Sequence, residues 1–399
     1  MNDAAARPLP LDGVRVVEFC QTIMGPCAGL ILADLGADVI KVEPAPGGDK
    51  TRRLHGFAAG FFGAFNRNKR GLAVDLKSDE GRAVVHRLLE TADVVIENYA
   101  PGTVEKLGCG YADCAKINPR IVYCSLKGFL SGPYEQRPAL DEVVQYMAGL
   151  AYMTGPPGRP LRAGSSVVDI MGGTFAVVGI QAALRERETT GKGQFVKSAL
   201  FESTAFLMMQ HLVGRAVTDV DQPPMPGRVG AWAVYETFQT SDEKRIFIGI
   251  TSDNHWRRYC KKFERQDLLD DPTLLTNEDR VAARDRTLPI VAEITKRYTI
   301  DEMSEICEEI EIPFSPVARP EDLTDDPQLN ANDRMLHVEL DNAPVTKVPR
   351  LPVEIGEHDL NLRLQPPKIG EHTNDILTEL GYDKGDIARL NEAGKIVAR

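Results

Sequence analysis

The sequence predicts an α/β fold in which a large domain, built on a doubly wound parallel sheet, is interrupted by a smaller α+β domain. Three observations lead there. A strand-helix-strand unit stands near the N-terminus, β-branched runs alternate with helical stretches through the first half, and two proline-rich stretches bracket a segment of different composition. Residues 14–19 (Val-Arg-Val-Val-Glu-Phe) read as a strand, 25–36, rich in Ala and Leu, as a helix, and 38–43 (Asp-Val-Ile-Lys-Val-Glu) as a second strand. Such a unit makes its strands parallel, because a crossover through a helix brings the chain back in the same direction. Residues 72–76, 93–97 and 121–126 supply further strands, separated by helices such as 78–92, which carries Asp79 and Glu80 in its first turn. Helices are expected at 140–153, at 170–187, where Thr190-Gly191-Lys192-Gly193 is a stop signal, and at 198–213. Pro223, Pro224, Pro226, Gly227 and Gly230 then mark an extended crossing. Residues 232–250 alternate like strands of a smaller unit, followed by helices to about 311, a second proline-rich stretch, and a last helix near 374–380. The expected organisation is a large domain at 1–218, a linker at 219–230, a small domain at 231–312, a return linker at 313–330, and the rest of the large domain at 331–399.

A length of 399 residues suits roughly two to three domains. A net charge of −11 opposes unspecific binding to nucleic acid or an anionic membrane, so any anionic ligand must meet a local basic patch. Residues 1–10 lack the order of a signal peptide, and no apolar run approaches the roughly 20 residues that cross a bilayer. Seven cysteines, an odd number without metal-ligand spacing, and seven scattered histidines give no support for a metal centre. A cytoplasmic protein with reduced thiols is expected, with no nucleic-acid or membrane partner.

Asp169 stands just before a helix, in Ser165-Ser166-Val167-Val168-Asp169-Ile170-Met171-Gly172-Gly173. The plainer reading is a helix cap. The chemical reading is compatible with it: free amides and the helix dipole would keep the carboxylate ionised and nucleophilic. Gly172 and Gly173 fit either close helix packing or room for a bulky substrate. The turn Cys20-Gln21-Thr22-Ile23-Met24-Gly25-Pro26 has no GxGxxG, and neither GxxxxGK[ST] nor GxSxG occurs, which argues against nicotinamide enzymes, nucleotide hydrolases and serine hydrolases. The run Asn66-Arg67-Asn68-Lys69-Arg70 is by default a solvated turn, yet in an acidic chain it is the foremost candidate to hold a phosphorylated ligand.

Several stretches, in order, resemble the class III CoA-transferases of the CaiB/BaiF type. They are Leu11-Asp12-Gly13 with Gly25-Pro26, Asp34-Leu35-Gly36-Ala37-Asp38-Val39-Ile40-Lys41-Val42-Glu43, Gly48-Asp49-Lys50-Thr51-Arg52, Asn68-Lys69-Arg70, Glu97-Asn98-Tyr99-Ala100-Pro101-Gly102, Thr190-Gly191-Lys192-Gly193-Gln194 and Gly370-Glu371-His372-Thr373. The resemblance implies a Rossmann-like large domain, a small domain and an interlocked homodimer of ring-shaped subunits. It implies acyl-CoA and a free carboxylic acid as partners, with no metal or redox cofactor, since coenzyme A thioester is itself substrate. Asp169 falls on the catalytic aspartate. Val74, Asp75, Lys77, Asn98, Tyr99, Lys106 and Leu107 fall on positions lining the adenosine and phosphate end of coenzyme A, and Met24 lies near its pantetheine arm. Asp141 coincides with an acidic residue of formyl-CoA transferase. Leu140 stands where the racemase branch carries its histidine base, and Ile23 and Gly227-Arg228-Val229-Gly230 depart from the formyl-CoA transferase pattern.

The expected chemistry is attack by Asp169 on an acyl-CoA to form an aspartyl mixed anhydride, then an aspartyl-CoA thioester. Amides near Gly172 and Gly173 would stabilise the oxyanions, and a segment around 227–230 would close as a lid. Arg52, Arg53, Arg137, Arg159, Arg162 and Arg228 offer cations for a second carboxylate, so a dicarboxylate such as succinate is expected as donor or acceptor. An isomerase acting on 2-methylacyl-CoA and a CoA-binding subunit without activity stay open as alternatives.

Overall fold

The computed structural model describes residues 8–228, 230–340 and 343–399. Val229, part of the expected lid, and residues 1–7 of the segment read for a leader lie outside them. The chain divides into two compact units, Met1–Pro226 with Pro327–Arg399, and Gly227–Asp326.

In the first unit, β1 (Arg15–Phe19), α1 (Met24–Asp34) and β2 (Asp38–Pro44) form the expected parallel strand-helix-strand unit, followed by β3 (Lys69–Val74), α2 (Asp79–Leu89), β4 (Val94–Glu97) and β5 (Val122–Lys127). Next come α3 (Asp141–Met147), α4 (Leu150–Thr154), α5 (Val167–Thr190), β6 (Phe195–Ala199), α6 (Leu200–Leu207) and α7 (Met209–Thr218). The second unit carries β7 (Val234–Gln239), β8 (Arg245–Ile250) and β9 (Phe314–Pro316) as an antiparallel sheet, covered by α8 (Asp253–Lys262), α9 (Arg284–Thr295) and α10 (Ile300–Glu309). The chain then returns through a hairpin, β10 (Met335–Leu340) and β11 (Ala343–Pro349), to α11 (Thr373–Glu379), α12 (Lys384–Glu392) and β12 (Ile396–Val397).

The seven-stranded sheet runs β12-β3-β2-β1-β4-β5-β6, parallel throughout except for the antiparallel β12. Helices on both faces bury its strands, which is why β1 and β4 read as nearly continuous apolar runs. On one face Val16, Ala28, Leu32, Ile96 and Ile180 share a core, and on the other Val17, Phe19, Leu72, Val84, Leu88 and Ile376.

Differences from the sequence reading have identifiable causes. Strand β3 begins at Lys69 rather than 72, because its polar start is buried. Residues 140–153 make two helices, broken at Gly149, whose φ of 88° lies in the left-handed region. Strands β6, β10, β11 and β12 were not expected, and β9 lies inside the segment read as a return linker. The 24-residue α5 is, by length and composition, apolar enough to cross a bilayer, contrary to the expectation that no run would be. Its apolarity serves packing instead: Val168, Ala176, Val177, Ile180, Ala183 and Leu184 belong to the core against the sheet and α1.

Candidate active site

The strand order reverses between β1 and β4, and in open α/β sheets such a switch point opens a crevice beyond the strands' carboxyl ends. Two clefts lie there, both lined by Gln21 from the loop after β1 and by Tyr99 from the loop after β4. The first, about 520 Å³, is walled by Val74, Asp75, Lys77 and Leu107, with Lys50 and Arg53. The second, about 720 Å³, is walled by Met24, Asn98, Arg137 and Leu140, and Asp169 opens into it.

Seven of the eight positions selected for coenzyme A therefore line one cleft or both. Lys106 lines neither: the short helix Thr103–Lys106 presents Thr103 and Leu107 to the first cleft, and Lys106, about 100° round from Leu107, is exposed. Arg228 belongs to the second unit. Lys50 and Arg53 were not selected for coenzyme A, although Gly48-Asp49-Lys50-Thr51-Arg52 carried part of the resemblance. Among the described residues neither Lys50 nor Lys77 forms an ion pair, which leaves two ammonium groups for an anion.

Asp169 is the third residue of α5, and the N-cap, Ser166, makes no side-chain cap bond. The helix is capped from another element. The Asp141 Oδ2 accepts the amides of Val168 at 2.9 Å and Asp169 at 3.1 Å, while its Oδ1 accepts the Gln145 Nε2 at 2.6 Å. The Gln145 Oε1 in turn accepts the Ala163 amide at 2.9 Å, and the Arg162 Nη2 lies 3.7 Å from Asp141. This corrects the expectation that the free amides hold the Asp169 carboxylate ionised, because Asp141 takes them. Burial first, and the negative Asp141 second, push the Asp169 carboxyl up to about 7, against a smaller opposing effect of Arg162. The group is poised between acid and carboxylate at neutral pH.

Gly172 and Gly173 do not open space for a substrate. A Cβ on Gly173 would lie 2.7 Å from the Met24 carbonyl oxygen, and one on Gly172 2.5 Å from the Met24 Cε, so these glycines let α5 approach α1 closely. Their amides lie inside α5, where helical bonding engages them, so the expectation that they donate to an oxyanion is also corrected. The close approach has a use of its own, since it brings Asp169 alongside Met24.

The basic run is structural as well. Arg67 and Asn68 bind Asp34 (2.6 and 2.8 Å), and Arg70 binds Asp38 (2.7 Å) and Glu379 (2.6 Å). Lys69, fully buried, pairs with Glu18 at 2.8 Å and donates to the Pro26 carbonyl at 2.9 Å. Each of these cations is spent inside the fold, so the phosphate site expected there does not exist. Beside them, Lys41 reaches Glu18 (3.3 Å), Asp49 (3.0 Å) and the Cys20 carbonyl (2.7 Å).

The chain is similar to known proteins over nearly its whole length. The sequence profile of CoA-transferase family III matches residues 11–373. The chain is 34% identical to the succinate-glutarate CoA-transferase of Agrobacterium fabrum, over 95% of this chain and 98% of that protein. It is 31% identical to the human succinyl-CoA:glutarate CoA-transferase, over 97% of this chain and 90% of that protein. The crystal structure of a CaiB/BaiF family protein from Brucella suis superposes with a TM-score of 0.84 at 34% identity, covering 94% of this chain and 100% of that one. These matches over nearly all its length show that the chain belongs to CoA-transferase family III, enzymes that move coenzyme A from an acyl-CoA to a carboxylic acid.

Proposed function

We propose that this enzyme transfers coenzyme A between dicarboxylic acids, with succinyl-CoA as donor, through covalent intermediates on Asp169. The observation that carries the reading is the Asp169 carboxyl: it opens into a cleft, accepts no hydrogen bond from the described residues, and shares Gln21 and Tyr99 with a neighbouring cleft holding unpaired lysines. The ionised Asp169 attacks the thioester carbonyl, the C–S bond breaks, and coenzyme A leaves as thiolate while a mixed anhydride forms. The thiolate attacks the aspartyl carbonyl of the anhydride, releasing the donor acid and leaving an aspartyl-CoA thioester. An acceptor carboxylate attacks that thioester, and the returning thiolate takes the new acyl group and frees Asp169. A carboxyl near 7 is a stronger nucleophile than an ordinary carboxylate and is still substantially ionised at neutral pH.

Lys50, Arg53 and Lys77 suit the phosphates of coenzyme A, and the apolar walls at Met24 and Leu140 suit its pantetheine arm and the acyl chain. Two observations support a dicarboxylate. Arg137 lines the Asp169 cleft, packs 4.9 Å from the Tyr134 ring and, among the described residues, pairs with no carboxylate; the Agrobacterium relative is named for succinate and glutarate and the human one for succinyl-CoA and glutarate. Lys127 lines the same cleft but is engaged by Glu97 at 2.7 Å. Leu140, 70% exposed, puts an apolar side chain where an isomerase of this kind would need its second base. A cytoplasmic homodimer of interlocked subunits completes the proposal.

The test is incubation with succinyl-CoA, trapping with hydroxylamine or borohydride, and mapping of the modified peptide. Modification at Asp169, lost in Asp169→Ala, is the expected result. Modification elsewhere, or full activity in that variant, overturns the reading.

A further inference from the structure

In the turn that leads from β1 to α1, Cys20 lines the first cleft, Gln21 both and Thr22 the second, and Thr22 adopts a φ of 67°. A β-branched residue in the left-handed region is a backbone outlier that persists only where its surroundings impose it. Here the imposing groups can be named. The Gln21 amide donates to the Asn98 Oδ1 at 2.9 Å, and the Asn98 Nδ2 donates to the Gln21 carbonyl at 2.7 Å. The Cys20 carbonyl accepts from the Lys41 Nζ at 2.7 Å. The Thr22 amide donates to the Thr51 Oγ1 at 2.9 Å.

Thr51 is almost fully buried, and its hydroxyl is oriented from behind. Its proton goes to the Asp49 Oδ1 at 2.7 Å, and Asp49 is itself fixed by Lys41 at 3.0 Å and by the Thr51 amide at 2.8 Å. With the proton committed to Asp49, the lone pair of the hydroxyl faces Thr22. A valine of the same shape would leave the Thr22 amide without this acceptor, and the strained residue itself would lose the one bond that holds its own amide, with only the bonds at Cys20 and Gln21 left to oppose relaxation.

We propose that Thr51 is a positioning residue, which holds the strained turn at Thr22 so that Gln21 and Met24 keep coenzyme A aligned with Asp169. This rests on the reading of the Asp169 cleft as the site of transfer. Four variants test it: Thr51→Val, Thr51→Ser, Thr22→Gly and the double variant Thr51→Val/Thr22→Gly. Each is assayed for kcat and KM with succinyl-CoA and glutarate, for melting temperature, and for binding of coenzyme A alone by calorimetry. The expected result is about a tenfold loss of kcat in Thr51→Val and near-wild-type kcat in Thr51→Ser. Thr22→Gly, which adopts the same φ without strain, should partly restore the double variant, so that the two changes are non-additive. Equal kcat in Thr51→Val and wild type, equal impairment in Thr51→Ser and Thr51→Val, or a loss that simply follows melting temperature would overturn the proposal. If the wild type transfers no coenzyme A, it is the functional reading that fails; weaker binding of coenzyme A by Thr51→Val than by Thr51→Ser then still supports the positioning role, and equal binding sinks it.

Discussion

Beneath the sheet's carboxyl end, Glu18 and Asp49 are buried with Lys41 and Lys69 at 2.8 to 3.3 Å, whereas at the start of α5 the buried Asp141 and the half-buried Asp169 have, among the described residues, Arg162 as their nearest cation, 3.7 Å from Asp141. Residues of one chemical class meet opposite treatment. Burial alone would raise the Asp49 carboxyl, but Lys41 and the bonds from Thr51 outweigh it and hold the group below the usual range. Asp169 has no such partner, and burial beside a second acid drives it up to about 7. The compensated pair builds a rigid floor, and the uncompensated one stores the free energy that makes a carboxyl reactive.

Substitutions can break that contrast from either side. The largest effect is expected from Asp169→Ala, which removes the covalent path and should lower kcat about ten-thousand-fold in a succinyl-CoA transfer assay. Glu18→Gln leaves Lys69 without its carboxylate and should cost about 3–5 kcal/mol, read as a lower urea midpoint of the first unit.

Asp169→Asn should do the reverse to stability. A carboxyl raised from 3.8 to about 7 favours the fold while protonated, so that contribution is complete below about pH 4 and is lost as pH rises through 7. The variant should therefore exceed wild type by about 1–3 kcal/mol at pH 8, allowing for solvent in the cleft, and match it near pH 4 in melting experiments. Lys50→Ala and Lys77→Ala should each raise KM for the thioester about fivefold with kcat unchanged, an effect of about 1 kcal/mol that shrinks with added salt. The smallest change sharpens the comparison most. Asp141→Asn removes the like charge but keeps an acceptor for the amides, so the acid limb of the kcat profile should move from near pH 7 to lower pH by roughly half a unit.

Much of the fold was legible because its signals are local. Val16, Val17, Val94, Val95 and Ile96 announce buried parallel strands, and Gly191 ends α5 as a left-handed C-cap. Strand β3 started late in the reading because Lys69 and Arg70 look solvated, and only Glu18, Asp38 and Glu379, distant in sequence, make their burial tolerable. The site divides in the same way. Asp169 was singled out from one stretch of sequence, whereas the switch point depends on a strand order that the sequence reading did not set. The capping of α5 by Asp141, 27 and 28 residues away, and the chain from Lys41 through Asp49 and Thr51 to Thr22 depend on pairings that no local pattern encodes. For that reason Gly172 and Gly173 could be read two ways until the position of Met24 decided between them.

Strand β12 places Ile396 and Val397 beside Val74 and Ala73, and the Asp75 amide donates to the Lys395 carbonyl at 2.8 Å. Val74 and Asp75 are also walls of the first cleft. A ribosome releasing this polypeptide must therefore produce the entire second unit before the border of β3 finds its neighbour. Until then the nascent sheet exposes a row of unsatisfied backbone groups, a ready template for chaperones to shield or for other unfinished chains to misjoin.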